Sequence, residues 1–218
     1  ADQSSLVMSG NRAIVAGALT AGCRYFAGYP ITPASDILEE MARRLPDIGG
    51  ATYQTEDEIA AIGSVVGASI AGVKAMTATS GPGFSLMQEM LGLATMAEVP
   101  LVVINSMRAG PSTGMPTMME LADLNIALYG GHGEAPRIVL AARSVEDCFY
   151  QAMQAFYLSE TFQMPVILLV DQSLSHRTET LHMPDAQLVP VVERLRPGPE
   201  DVEEYRRYRL TESGISPM

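Results

Sequence analysis

Cysteine is scarce in this 218-residue chain: Cys23 and Cys148 stand alone, with no Cys-x-x-Cys spacing. Two thiols cannot hold an iron–sulfur cluster or a cysteine zinc site by themselves, and they offer no disulfide framework. They suit a reducing, cytoplasmic setting. Basic residues are also few, 14 Lys and Arg against 25 Asp and Glu, and the net charge of −11 lacks the basic footprint of a nucleic-acid binder. His132, His176 and His182 have no ligand-like spacing, so no metal site is read from this chain, and no Ser/His/Asp triad is visible. The longest uncharged apolar run, Ile59 to Val73, has fifteen residues, short of the ~20 that a membrane helix needs. Its Gly63-x-x-x-Gly67 spacing is read as close helix contact in a soluble protein. No signal-peptide pattern opens the chain, whose first residue is Ala.

What is abundant is apolar. At 47% apolar residues a chain of this length can bury a large core, as one α/β domain or a domain plus an arm. Charged residues are only 18%, which predicts extensive contact with other subunits. Fourteen Met residues serve such surfaces, or a Met-rich core, equally well.

Helix and strand patterns alternate along the chain. Residues 10–21 read as a helix, 24–29 as a strand, and Thr32 as the N-cap of a second helix with Pro33 at its first position. Strand 51–54 precedes helix 56–72, strand 74–79 precedes helix 83–97, and 101–104 is a buried strand. A Gly/Pro/Ser/Thr loop over 108–116 leads to a helix near 117–128. Strand 137–141, a helix capped by Ser144 and running to about 162, and strand 165–171 complete the pattern. Short apolar strands between helices predict an α/β fold with three α/β/α layers and a parallel sheet covered on both faces. Ligands of such sheets sit beyond the carboxyl ends of the strands. The loops at 29–33, 54–58, 79–83 and 105–116 are therefore expected to converge. From about Pro184 the chain turns charged and loses any clear apolar face. The organisation read is a domain over 1–184 and a linker or arm over 185–218, lying over a neighbour or leading to a further domain.

Three consecutive carboxylates, Glu56-Asp57-Glu58, open the uncharged run. Nine of the thirteen residues from Ala60 to Gly72 are Gly, Ala or Ser, so whatever packs there comes close, and a carboxyl group in such a dry contact is shifted upward. A rival reading is structural: Thr55-x-x-Glu58 fits a capping box, with Glu58 reaching back to the Thr55 N–H. Tyr29-Pro-Ile-Thr-Pro33 is a rigid turn into a helix, explained by capping alone or by an anion site. Ser80-Gly-Pro-Gly83 is neither a dinucleotide fingerprint nor a P-loop, and a tight turn is the simpler account. Arg108 is either a solvated loop residue or a fork that grips a carboxylate.

Together, YPITP (29–33), QTEDEIAAIGSVVGASIAG (54–72), TSGPGFSLMQE (79–89) and NSMRAGPSTGMPT (105–117) resemble the α subunit of 2-oxoacid:ferredoxin oxidoreductases, in order and spacing, over residues 8–175. The GPSTGMPT loop is similar to the 2-oxoglutarate-type branch. The resemblance implies a thiamine diphosphate-binding fold, this chain being the pyrimidine-binding domain. It implies a β subunit that carries the diphosphate and Mg²⁺ site and a [4Fe-4S] cluster, with ferredoxin, CoA and a 2-oxoacid as further partners. The assembly implied is a hetero-oligomer, a dimer of αβ units. Glu58 would be the glutamate bonded to the aminopyrimidine, and Thr32 and Arg108 would hold the 2-oxoacid. Tyr29, Pro30, Ile31, Ser80 and Gly81 would join Glu58 around the cofactor. Burial and the charges of Glu56 and Asp57 would raise the Glu58 pKa, against the helix dipole.

Overall fold

Apolar runs of four to seven residues form the sheet. The computed structural model describes residues 5–199 and 203–218. Strands β2 (Tyr25–Gly28), β3 (Ala51–Gln54), β4 (Ala75–Thr79), β5 (Leu101–Met107), β6 (Ile138–Ala141) and β7 (Pro165–Asp171) lie in the order β3-β2-β4-β5-β7-β6. All neighbours in it are parallel. β4 and β5 are buried along their whole length, because helices cover both faces. Alternate residues of a strand point to opposite faces. Met76, Ala78, Val102 and Ile104 thus meet one apolar cluster with helices α1 (Gly10–Thr20), α2 (Ser35–Arg44) and α7 (Val145–Phe162). Ala75, Leu101 and Val103 meet another with α3 (Glu58–Ile70), α4 (Gly81–Leu86) and α5 (Gln88–Met96). The three-layer α/β/α arrangement is the one the patterning predicts.

Local details differ from the sequence reading at four places. Thr32 is not an N-cap, and Pro33 is not at the first helical position. The Thr32–Pro33 peptide is cis, the Ala34 N–H donates to the Ile31 carbonyl at 2.8 Å, and α2 begins at Ser35 without a side-chain cap. That is a type VI turn, which places proline third in the turn. The expected helix 83–97 is two helices, because Met87 N–H bonds back to Phe84 O and tightens the chain there. The expected helix 117–128 is only α6 (Leu124–Tyr129). Met118, Met119 and Leu121 before it are more than half exposed, and with no apolar surface to cover, so short a segment has little reason to stay helical. Finally, β1 (Ser5–Ser9) and β8 (Thr178–His182) pair antiparallel as a ribbon that the local patterning did not suggest. By contrast, Ser144 does cap α7, its hydroxyl accepting from the Asp147 N–H.

The charged segment after Pro184 folds back over its own domain. Arg194 is buried against Glu160 of α7, donating to both carboxylate oxygens at 2.8 and 2.9 Å, and its Nη1 reaches Ser69 O at 2.6 Å. Lys74–Glu193 and Arg207–Glu98 ion pairs, at 3.0 and 2.9 Å, add to this attachment. Its charges replace the apolar face that it lacks. Among the described residues no helix is long and apolar enough to cross a membrane.

Candidate active site

Going along the chain, the sheet grows from β2 to one side through β3 and then to the other through β4. The crevice between the carboxyl ends of β2 and β4 is where ligands of this architecture bind. Glu58 stands there as the first residue of α3, and the acidic triplet separates into three roles. Glu56 is exposed. Asp57 is the helix N-cap, its carboxylate accepting from the Ala60 N–H at 2.7 Å. Glu58 is buried, 6% exposed. The capping box does not form: the Thr55 N–H goes to Gly28 O, and its hydroxyl donates to main-chain oxygens of Gly28 and Asp57. Burial, first of all, raises the Glu58 pKa above its ordinary 4.5; its own backbone N–H lowers it, Asp57 raises it and Arg108 lowers it.

Ser80-Gly-Pro-Gly83 is not a free-standing tight turn but the N-cap and first turn of α4, and it fits around this carboxyl group. A Cβ on Gly83 would collide with Thr79 Oγ1 and with the Glu58 carboxyl, so only glycine lets the turn close over it. The Ser80 hydroxyl is buried without a hydrogen-bond partner. Such an orphan is expected where a ligand's polar edge docks. Gly83→Ala is expected to lower stability by about 1–3 kcal/mol through overpacking, read from the urea midpoint. An unchanged midpoint would show that the turn yields and that the fit is loose.

Arg108 follows β5 and is buried, not solvated. Its Nη1 donates to Thr32 O at 2.7 Å and its Nη2 to Thr113 O at 2.6 Å, while Nε is buried without a partner. Desolvation lowers its pKa and Glu58 raises it. Arg108 thus ties the Thr32 turn to the 109–116 loop. Asn11 holds the turn from behind, donating to Pro33 O at 2.8 Å. Tyr29 and Pro30 are exposed at the rim, and Ile31 packs on the core.

Residues 16–213 match the family model described as pyruvate flavodoxin/ferredoxin oxidoreductase, thiamine diphosphate-binding. The chain belongs to that family. Within it, the 2-oxoglutarate synthase subunit KorA of Archaeoglobus fulgidus is 53% identical over 178 residues, 82% of this chain and 51% of that one. The 2-oxoglutarate oxidoreductase subunit KorA of Mycobacterium tuberculosis is 44% identical over 94% of this chain and 32% of that one. The solved 2-oxoglutarate:ferredoxin oxidoreductase from Magnetococcus marinus, with 2-oxoglutarate, coenzyme A and succinyl-CoA bound, is 46% identical. It superposes with a TM-score of 0.95 over 99% of this chain and 37% of that chain. The chain spans about half the length of these relatives or less.

For a thiamine diphosphate-binding domain of this family, the residues present fit the pyrimidine: a protonatable buried carboxyl group, a glycine packed against it, and an orphaned hydroxyl at Ser80 in the same segment. Sequence reasoning missed four residues that build this place: Asn11, Thr79, Asn105 and Asp123. Asn11, Asn105 and Asp123 have partners 18 or 22 residues away, so no local spacing announces them; Thr79 bonds only to the next residue's carbonyl, and its place against Gly83 and Glu58 comes from the packing of the turn. Cys23 and Cys148 both lie in the apolar core, their thiols pushed up to about 12 by burial.

Proposed function

We propose that this chain is the pyrimidine-binding part of the α subunit of a 2-oxoglutarate:ferredoxin oxidoreductase. With its partner it would catalyse the thiamine diphosphate-dependent oxidative decarboxylation of 2-oxoglutarate to the acyl-CoA, passing electrons to ferredoxin. The observation that carries this reading is the buried Glu58 carboxyl group, fitted against Gly83 and facing the Arg108 charge. Bound there, thiamine diphosphate supplies the carbanionic nucleophile and electron sink that decarboxylation of a 2-oxoacid needs. Glu58 would hold and release a proton at the aminopyrimidine edge, which a carboxyl group with a raised pKa does best near neutral pH. Ser80, Gly81, Tyr29, Pro30 and Ile31 would border the ring. Arg108 would give the substrate carboxylate a charged fork, and the Thr32 hydroxyl would meet the same substrate.

The partner would be a β subunit with the diphosphate and Mg²⁺ site and a [4Fe-4S] cluster, paired in a dimer of αβ units. Open space around Gly67 on α3, where an added Cβ would meet nothing within 4 Å, suits that docking. A cytoplasmic setting suits the two buried thiols. The test is to express the chain, or the longer subunit that contains it, with the cluster-bearing partner and follow viologen reduction with CoA, thiamine diphosphate, Mg²⁺ and a panel of 2-oxoacids. Reduction is expected with 2-oxoglutarate. Reduction only with pyruvate or a branched-chain 2-oxoacid overturns the substrate, and no reduction overturns the reaction.

In that assay Arg108→Ala is expected to raise KM for the 2-oxoacid by about 10–100-fold, the scale of a lost charge-assisted hydrogen-bond pair. An unchanged KM would remove Arg108 from substrate binding.

A further inference from the structure

Asn105 lies on β5, fully buried and level with Thr79 of the neighbouring strand. Its Nδ2 donates to Asp123 Oδ2 at 3.0 Å, while its Oδ1 is buried without a partner. Only the amide can donate to a carboxylate, which fixes its orientation. Asp123 in turn lies against the glycine turn: a Cβ on Gly81 would stand 3.0 Å from its Oδ2. Asp123 ends the irregular stretch that begins at Arg108. That stretch is closed on itself by Ala109 N–H to Met118 O, Met115 N–H to Ala109 O and Gly110 N–H to Glu120 Oε2, each at 2.8 Å. Its other attachment is the guanidinium of Arg108 on Thr113 O. Both attachments line one cavity of about 390 Å³, with Gly81 and Ser85 opposite the loop.

From this geometry we infer that Asn105 and Asp123 are a positioning pair. They latch the far end of the 109–123 loop to β5, beside the Ser80–Gly83 turn, and so hold Thr113 O, and through it the Arg108 fork, where a substrate carboxylate is received. This inference rests on the proposed reaction. The pair is assigned no contact with the reacting atoms and acts through Arg108. Loosening it frees the loop at one end, and the loop then no longer fixes the guanidinium.

The pair can be exchanged end for end, which separates the latch from general stability. Asn105→Asp sets two carboxylates together, and Asp123→Ala removes the acceptor from the half-buried side. Either is expected to speed hydrogen exchange at the Ala109, Met115 and Met118 amides by about tenfold and to raise KM for the 2-oxoacid about as much, with kcat within about threefold, a coupling of the usual size for contacting residues. Asp123→Asn keeps an acceptor for the Asn105 amide and is expected to stay near the parent protein in both readouts. The exchanged double variant Asn105→Asp/Asp123→Asn restores one amide–carboxylate bond and is expected to recover both. A double variant no better than Asn105→Asp overturns the latch, as does unchanged exchange in both single variants. Faster exchange with unchanged KM overturns the positioning role and leaves a tie of the fold. A parent complex inactive with every 2-oxoacid overturns the reaction, and with it that role, whatever exchange shows.

Discussion

Glu58→Gln is expected to lose about 10²–10⁴-fold of the 2-oxoacid-dependent viologen reduction of the assembled enzyme, the range for removing a positioned acid–base group. Glu56→Gln is expected to keep it. The contrast comes from where the two side chains lie, one in the crevice against Gly83 and the other in water. Glutamine nearly matches glutamate in size, so the turn still closes and only the titratable proton is removed. Equal losses in the two variants would put the assignment within the triplet in error. Stability should move the other way. A carboxyl group whose folded pKa is raised stabilises most below its ordinary 4.5 and loses that contribution as pH climbs through the raised value. Relative to the parent, Glu58→Gln should therefore gain denaturant resistance between pH 4 and pH 8. Midpoints that track the parent at both pH values would show that the buried charge carries no penalty.

The largest loss of stability is expected from Arg194→Met. The change leaves Glu160 buried with its charge uncompensated and removes the donor to Ser69 O, a loss of about 3–5 kcal/mol for a broken buried pair. Replacing both partners, Arg194→Met with Glu160→Met, should recover much of it, because no stranded charge remains. Urea unfolding measures both. A loss below about 1 kcal/mol in the single variant would mean that water reaches Glu160 once the arginine is gone. The pair also bears on function. It fastens the charged arm to α7 and α3, and α3 carries Glu58 at its other end.

The sheet was legible because its information is local: each strand is a short apolar run between helical patterns, and burial on both faces demands that composition. The Ser144 cap was legible for the same reason, a three-residue relation. What failed to show was set at a distance. The β1–β8 ribbon joins segments more than 160 residues apart, and Arg194 meets Ser69 across 125. The cis Thr32–Pro33 turn is stabilised by Asn11 and Arg108, neither of them near it in sequence. Residues 117–128 read as one helix, yet only Leu124–Tyr129 is helical, because Met118, Met119 and Leu121 have nothing to pack against.

The triplet at 56–58 shows the division most clearly. Sequence by itself determined that carboxylates stand where a strand gives way to a small-residue helix at the mouth of a parallel sheet, a consequence of composition and periodicity. It left a capping box and an active-site acid as equals, since both need a glutamate at that position. Only the tertiary structure removed the capping box. Gly28 O takes the Thr55 N–H, Asp57 caps the helix, and the turn at Gly83 comes from another strand to close over Glu58. A carboxyl group's pKa depends on what surrounds it in space, and residues 58 and 83 become neighbours only when β3 and β4 lie on either side of β2.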